Sequence, residues 1–426
     1  VKRTVLLASY GGGHAHMLPP VVKALRRRAS DAGVDLDLRI LGFGPAKWIF
    51  ERHGLSCLTY KNFLETSHDG DALAWGEELA EQHHSATAVP DRSESVAYLG
   101  LSFKDLVGKH GEMDAKALLA KRGRQAFFPT TILERVFDRI RPHLLITTNS
   151  PRSEAAAIDV ARRRNIDQII MTDLFAGRGD YILRAQHITF LNDRARQRHL
   201  EDGLYDPMVS TPHVTGNPAF DVLHDLPRNL SADWADQEFR QAGGRPLVLF
   251  ADMPAYWHTT ERRSYFRSEV EIIAELDAVA SAVHAQGCHL LVRPHPSQDR
   301  AFYEKWLVGK PMASLAAQQP LHDVLRGCTL LIVRSSTVGL EAVYLGKRVL
   351  QLDSAFHSDV PFASLGVAWG ADSFPNLEAA VAAALHDEAG FARIQRRIAE
   401  VLPPVPAADR IVDLIFKRLA TIPSSA

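Results

Sequence analysis

Cysteine is scarce: Cys57, Cys288 and Cys328 are all that 426 residues contain, and none stands in a CxxC or a mixed Cys/His spacing. That excludes a disulfide framework or a zinc ribbon and fits buried thiols in a reducing compartment. An excess of either charge is lacking as well. With 49 Lys and Arg against 50 Asp and Glu the net charge is −1, so there is no global field to draw in nucleic acid. No apolar run approaches the roughly 20 residues that span a bilayer. The short apolar stretch of "VKRTVLLASY" runs into glycines and reads as a first strand rather than a secretion signal. The expectation is a cytoplasmic chain, with peripheral membrane contact left open.

What is present is an alternation. The runs "TVLLAS" (4–9), "DLDLRILGF" (35–43), "HLLITT" (143–148), "QIIMTD" (168–173) and "HITFLN" (187–192) are separated by segments such as "SEAAAIDVARRRN", whose apolar positions recur at helical spacing. Strand, helix, strand in this order predicts βαβ units and a mainly parallel sheet. A second series follows in "PLVLFAD" (246–252), "CHLLVRP" (288–294), "CTLLIVRSS" (328–336) and "KRVLQLD" (347–353). The length is too great for one ordinary core. We therefore expect a first domain at 1–222 with a helical elaboration at about 60–135, a linker at 223–245, a second domain at 246–405, and a last amphipathic helix at 406–426 packing back on the first. The D-x-D at Asp69-Gly70-Asp71 reads as a solvated turn and His83-His84 as a helix surface, so no metal site is expected.

The stretch "ASYGGGHAHML" (8–18) is not a dinucleotide fingerprint. That motif needs G-x-G-x-x-G and an acid at the end of the second strand, whereas Gly11, Gly12 and Gly13 lead to His14 and the second strand ends "ILGFGPAKW". Glycines lacking a Cβ let the chain turn and a ligand approach, which marks Gly12 and Gly13 as substrate contacts. His14 then stands beyond the carboxyl end of the sheet, where open α/β sheets bind ligands, as a candidate base.

In "LVRPHPSQD" (291–299), Pro294 and Pro296 hold His295 in one direction as a donor to phosphate, with Arg293 adding charge. In "LLIVRSSTVGLEAVYLGKRVLQLD" (330–353) an apolar strand meets Ser335, Ser336 and Thr337, whose hydroxyls and free N–H groups make a helix-start anion site. Glu341, on the same side of that helix, suits two vicinal ribose hydroxyls. In "HVTGNPAFDVL" (213–223), Asn217 sits in a turn and is a candidate substrate contact.

Taken in order, Gly11–His14, "TGNPAFD", "RPHP" and "SSTVGLEAVYLGKRV" resemble the two-Rossmann-domain (GT-B) nucleotide-sugar enzymes, among them UDP-N-acetylglucosamine 2-epimerases and the glycosyltransferases of capsule, lipopolysaccharide and peptidoglycan assembly. The resemblance implies an α/β GT-B architecture, two Rossmann-like doubly wound domains facing a central cleft. It also implies that Glu341 binds the nucleotide ribose, that Ser335, Ser336 and Thr337 surround its phosphates with His295, and that His14 serves the acceptor.

The epimerase likeness is partial. In "TTNSPRSEAAAIDVARRRNIDQIIMTDLFAGR" (147–178) Asp173 falls where the epimerases carry a catalytic glutamate, but Asn149 replaces an aspartate. Their second catalytic glutamate has no counterpart, and His258 stands near the position of another catalytic residue. The expected function is transfer of a sugar from a UDP- or CMP-type donor to an acceptor hydroxyl, with His14, Asp173 or Glu154 as base. An epimerase-like isomerase or hydrolase, and a non-catalytic nucleotide-sugar-binding protein, stay open. The donor is a substrate and no cofactor is implied; the acceptor is a glycan, a lipid-linked or a small molecule, and a homodimer is left open.

Overall fold

The computed structural model describes residues 2–422 except 12, 66, 84–90, 174, 176–180, 225, 227–231, 259–263, 296–297, 317–318 and 354–359; the side chains of 83, 232–236, 256–258 and 264–265 also lie outside the description. The chain divides into two compact units, Val1–Val222 with Val405–Ala426, and Leu223–Pro404.

The first unit is built on six parallel strands: β1 (Arg3–Tyr10), β2 (Leu36–Phe43), β3 (Leu144–Thr148), β4 (Asp167–Met171), β5 (His187–Phe190) and β6 (Thr211–Val214), in the order β2-β1-β3-β4-β5-β6. Val5 to Ala8, Leu144 to Ile146 and Ile169 to Met171 have no exposed surface. Continuous apolar runs of this kind mark a sheet covered on both faces. One cover is the helix Leu18–Ala32 together with the returning C-terminal helix Ala408–Thr421, whose Ile411, Val412 and Ile415 join Leu18, Val22 and Leu25 in one core. Asp221 fixes the start of that returning helix by accepting the N–H groups of Ala407 and Ala408 at 2.5 and 2.7 Å. Because the chain leaves β1 for β2 on one side and returns to β3 on the other, the carboxyl ends of β1 and β3 form a topological switch point.

Between β2 and β3 lie the helices Gly70–His83, Arg92–His110, Glu112–Arg122 and Thr130–Ile140. The first two cross backbone to backbone: a Cβ on Gly100 would stand 1.9 Å from the carbonyl oxygen of Ala72. Asp69 corrects an expectation here. Instead of lying in a solvated turn, it is fully buried and accepts from Arg135 Nη1 at 2.6 Å and Lys104 Nζ at 2.9 Å. Burial pushes its carboxyl up, but these cations and the N–H of Glu65 outweigh it and hold the group at about 2. The side chain of His83, and all of His84, fall outside the described residues.

The second unit repeats the plan with β7 (Leu247–Ala251), the hairpin β8 (Tyr256–His258) and β9 (Ser264–Phe266), then β10 (His289–Arg293), β11 (Ala313–Leu315), β12 (Leu330–Val333), β13 (Arg348–Leu352) and β14 (Trp369–Ala371). The parallel order β11-β10-β7-β12-β13-β14 puts its switch point at the carboxyl ends of β7 and β12. Val248, Leu290, Ile332 and Leu350 pack on Leu276, Val279 and Val283 of the helix Glu269–Ala285. Among the described residues no helix is long and apolar enough to cross a membrane, and no three His, Cys, Asp or Glu are grouped to hold a metal ion.

Candidate active site

The loop after β1 begins at Gly11, where a Cβ would lie 2.5 Å from Pro45 Cγ, so the close approach requires glycine. Gly12 lies outside the described residues, while Gly13 is exposed with open space around it. His14 follows in the short turn Gly13–Met17, its Nδ1 3.1 Å from Asp173 Oδ2 beyond β4. The other Asp173 oxygen accepts from Asn149 Nδ2 at 3.1 Å, and its carbonyl from Asn217 Nδ2 at 2.6 Å. Loops after β1, β3, β4 and β6 therefore meet at one residue, Asp173. Burial pushes the Asp173 carboxyl up, yet the His14 charge and the hydrogen bonds from His14 and Asn149 outweigh it and hold the group below its ordinary value. A carboxylate on Nδ1 favours the tautomer that leaves Nε2 as the proton acceptor, the arrangement of a base and its orienter.

Two residues read from the sequence take other places. Glu154 has no exposed surface. Its Oε1 accepts from the N–H of Tyr10 at 2.6 Å and from Thr148 Oγ1 at 2.9 Å, while Oε2 lies 2.8 Å from that hydroxyl and 3.3 Å from the N–H of Ser150. Burial pushes it up to about 7 against those donors and the His14 charge. It ties the end of β1 to the loop after β3 and offers a substrate no free oxygen, so it corrects the reading of Glu154 as a base. Asn217 is likewise buried, with its amide spent on Asp173 and its Oδ1 accepting the N–H of Ala219 at 2.8 Å. It positions the loop instead of contacting a substrate.

In the second unit Ser336 caps the helix Thr337–Tyr344, its hydroxyl accepting from the N–H of Val338 at 3.4 Å. Ser335 and Ser336 are half-buried and Thr337 is exposed at the helix start. Glu341, one turn further, receives His322 Nε2 at 2.6 Å on Oε2. Arg293 Nη1 is committed to the carbonyls of Ala316 and Gln319, both at 2.9 Å, and so organises the loop after β11. Burial holds the Arg293 guanidinium below its ordinary value, opposed by the Glu341 charge. Burial also lowers His295, against the pull of Asp252. The backbone of His258 lies in β8, with its side chain outside the described residues.

Sequence reasoning missed the buried ionic network beneath this edge. Arg267 donates to Asp252 at 2.8 Å and to Glu275 at 2.9 Å; Arg334 donates to Glu275 at 2.9 and 2.6 Å and also pairs with Asp353. Tyr303 closes it with a 2.5 Å hydrogen bond to Asp252. One signal was visible: Glu275 stands among Ile272, Leu276 and Val279 on the apolar face of its helix, where a lone carboxylate needs a partner. His322 and Arg152 were missed too.

No protein family model matches the sequence, and no curated protein matches it. In three dimensions it is similar to the UDP-GlcNAc 2-epimerase from Neisseria meningitidis bound to UDP-GlcNAc, at 12% identity over 98% of this chain and 100% of that one, with a TM-score of 0.59. The S. aureus MnaA-UDP structure gives 15% identity over all of both chains and a TM-score of 0.62. The glycosyltransferase SnogD from Streptomyces nogalater gives 16% over 97% of this chain and 100% of that one, with a TM-score of 0.51. Two units with six parallel strands each, matched over nearly the whole length, give this chain the GT-B fold that nucleotide-sugar epimerases and glycosyltransferases share.

Proposed function

We propose that the chain is a GT-B glycosyltransferase using a UDP-type donor. The observation that carries this reading is the His14–Asp173 pair, 3.1 Å apart, at the carboxyl edge of the first sheet. His14 Nε2 takes the proton of an acceptor hydroxyl. The acceptor oxygen then forms its bond to the anomeric carbon, and the nucleoside diphosphate leaves with the electrons of the broken glycosidic bond. Ser335, Ser336 and Thr337 at a helix start, with His295, suit the charge that develops on the leaving phosphate. Glu341, steadied by His322, offers its remaining oxygen to the ribose. UDP is favoured over CMP because the similar S. aureus structure holds UDP and the Neisseria one UDP-GlcNAc.

Epimerisation is the second reading, and the epimerases among the similar structures favour it. Against it, Asn149 brings an amide where that chemistry would use a carboxylate, and Asp173 is engaged by His14. The test is UDP release from UDP-GlcNAc, followed by mass spectrometry with and without a panel of acceptors. Acceptor-dependent release that falls by roughly 10²- to 10⁴-fold in His14→Ala is the expected result. Donor turnover without acceptor that survives His14→Ala would point to the epimerase. A wild type that UDP does not stabilise against heat would overturn the nucleotide site.

A further inference from the structure

Among the described residues Arg152 is a guanidinium with no counter-charge. The residue retains 9% of its surface, its Nε is buried without a hydrogen-bond partner, and its side chain makes no ion pair among the described residues. Beneath it lies the ring of Tyr10, with 4.2 Å between Cζ and the ring centroid. That stacking fixes the plane of the guanidinium but supplies no acceptor for its N–H groups. Arginine does not discharge by losing its proton, so burial leaves a standing positive charge. The fold carries the cost of that charge, and an anion would remove it.

A second, independent feature is the backbone. Arg152 adopts φ 74° and ψ −115° at the start of the helix Ser153–Arg163. A side-chain-bearing residue rarely sits at positive φ, and such strain persists where surrounding structure enforces it, often at ligand sites. The helix start adds N–H groups and the positive end of its dipole.

Neither nearby carboxylate neutralises this charge. Both oxygens of Glu154 are taken by Tyr10, Thr148 and Ser150, and burial holds that group at about 7, so it is half protonated near neutral pH. Asp173 is paired with His14. Tyr10, on which Arg152 stacks, precedes the glycine loop that carries His14, so the unpaired cation and the base belong to the same switch point.

Resting on the glycosyltransferase reading, we propose that the acceptor taken by the first unit is anionic, and that Arg152 grips its carboxylate or phosphate in a two-pronged hydrogen bond that sets the acceptor hydroxyl at His14. A fork of charge-assisted bonds recognises either oxyanion. Arg152 thereby selects the acceptor class, a role separate from the base.

The test uses the full chain with methyl β-glucuronide, glycerol phosphate and neutral methyl β-glucoside, measured by calorimetric binding and by sugar transfer from UDP-GlcNAc. The variant is Arg152→Gly, which suits the positive φ and removes the unpaired charge, with Arg152→Lys beside it to keep charge but lose the fork. The wild type should bind one of the two anions roughly ten- to hundredfold more tightly than the glucoside. Arg152→Gly should abolish the preference, Arg152→Lys should restore only part of it, and Arg152→Gly should melt no lower than wild type. Preference for the glucuronide identifies a carboxylate, and preference for glycerol phosphate a phosphate. Equal binding of charged and neutral probes, or a preference that persists in Arg152→Gly, overturns the inference. So does a loss of UDP affinity with acceptor preference unchanged, because the anion would then be the donor's own. If no acceptor receives sugar but Arg152-dependent anion binding remains, the transferase reading fails while the anion site stands.

Discussion

Replacing Glu154 by glutamine separates its charge from its shape. In the folded chain burial raises this carboxyl from 4.5 to about 7, opposed by the Tyr10 N–H, the His14 charge and the Thr148 hydroxyl. A group whose folded value is raised favours the folded state below the unfolded value, and that stability is lost as pH climbs through the folded value. That rise corresponds to about 3 kcal/mol lost by the time the carboxylate is fully ionised, most of it between about pH 5 and pH 8. Glutamine carries no charge and escapes this loss. It does turn an amide toward donors that a carboxylate would accept, at a cost of about 1–2 kcal/mol that does not vary with pH. Glu154→Gln should therefore be less stable than wild type near pH 5 and more stable near pH 8. Hydrogen exchange of peptides from β3, compared between variant and wild type at the same pH, reads the first unit alone and cancels the intrinsic exchange rate. A stability difference equal at both pH values would refute the reasoning, for it would show that the buried group does not change charge in this range.

Glu341→Ala should weaken UDP by roughly tenfold or more, and 2′,3′-dideoxy-UDP hardly at all, if the carboxylate serves the ribose hydroxyls; His322→Ala should show a smaller loss of the same pattern in titration calorimetry. Glu275→Ala would leave Arg267 and Arg334 buried without their shared acceptor, a loss of about 3–5 kcal/mol read in the unfolding of the second unit. Glu275→Gln, which keeps an oxygen in place, should cost less.

Much of the fold was legible because its signals are local. "TVLLAS", "HLLITT" and "QIIMTD" read as strands, and lie within or across β1, β3 and β4, because buried parallel strands need unbroken apolar runs. The glycine loop and the Ser-Ser-Thr turn were legible for the same reason: a strand-to-helix connection writes its requirements into adjacent residues. Long-range partners left no such trace. Glu154 looks like an ordinary acid in a first helical turn, and only the return of β3 beside β1 brings it to Tyr10, 144 positions away. His322 lies 19 residues before Glu341 on another helix. Asp69 looked like a turn residue until Lys104 and Arg135, from two other helices, closed over it. The positive φ of Arg152 is invisible in "TNSPRSEA", because the residue at that position is neither glycine nor asparagine.

The first site thus holds two carboxylates in opposite states. Asp173, with His14 and Asn149 upon it, stays ionised, whereas Glu154 is driven toward neutrality by burial. Environments that push two acids apart in this way assign them different work. Here the ionised one orients the base, and the neutral one lets a negative group approach Arg152 without repulsion. That couples anion binding to protonation. Glu154 is faced by His14 from the β1 loop and by Tyr181, whose hydroxyl burial keeps protonated. As pH rises through about 7, Glu154 gains its charge, and affinity for an anionic probe should fall by roughly tenfold for a like charge placed several ångströms away. His14 faces Glu154 from the β1 loop, so the wild-type profile alone does not identify the group. Glu154→Gln does: its profile should flatten, while in His14→Asn the dependence on Glu154 should remain. If methyl β-glucuronide or glycerol phosphate binds Glu154→Gln with the full wild-type pH dependence, Glu154 takes no part in the coupling.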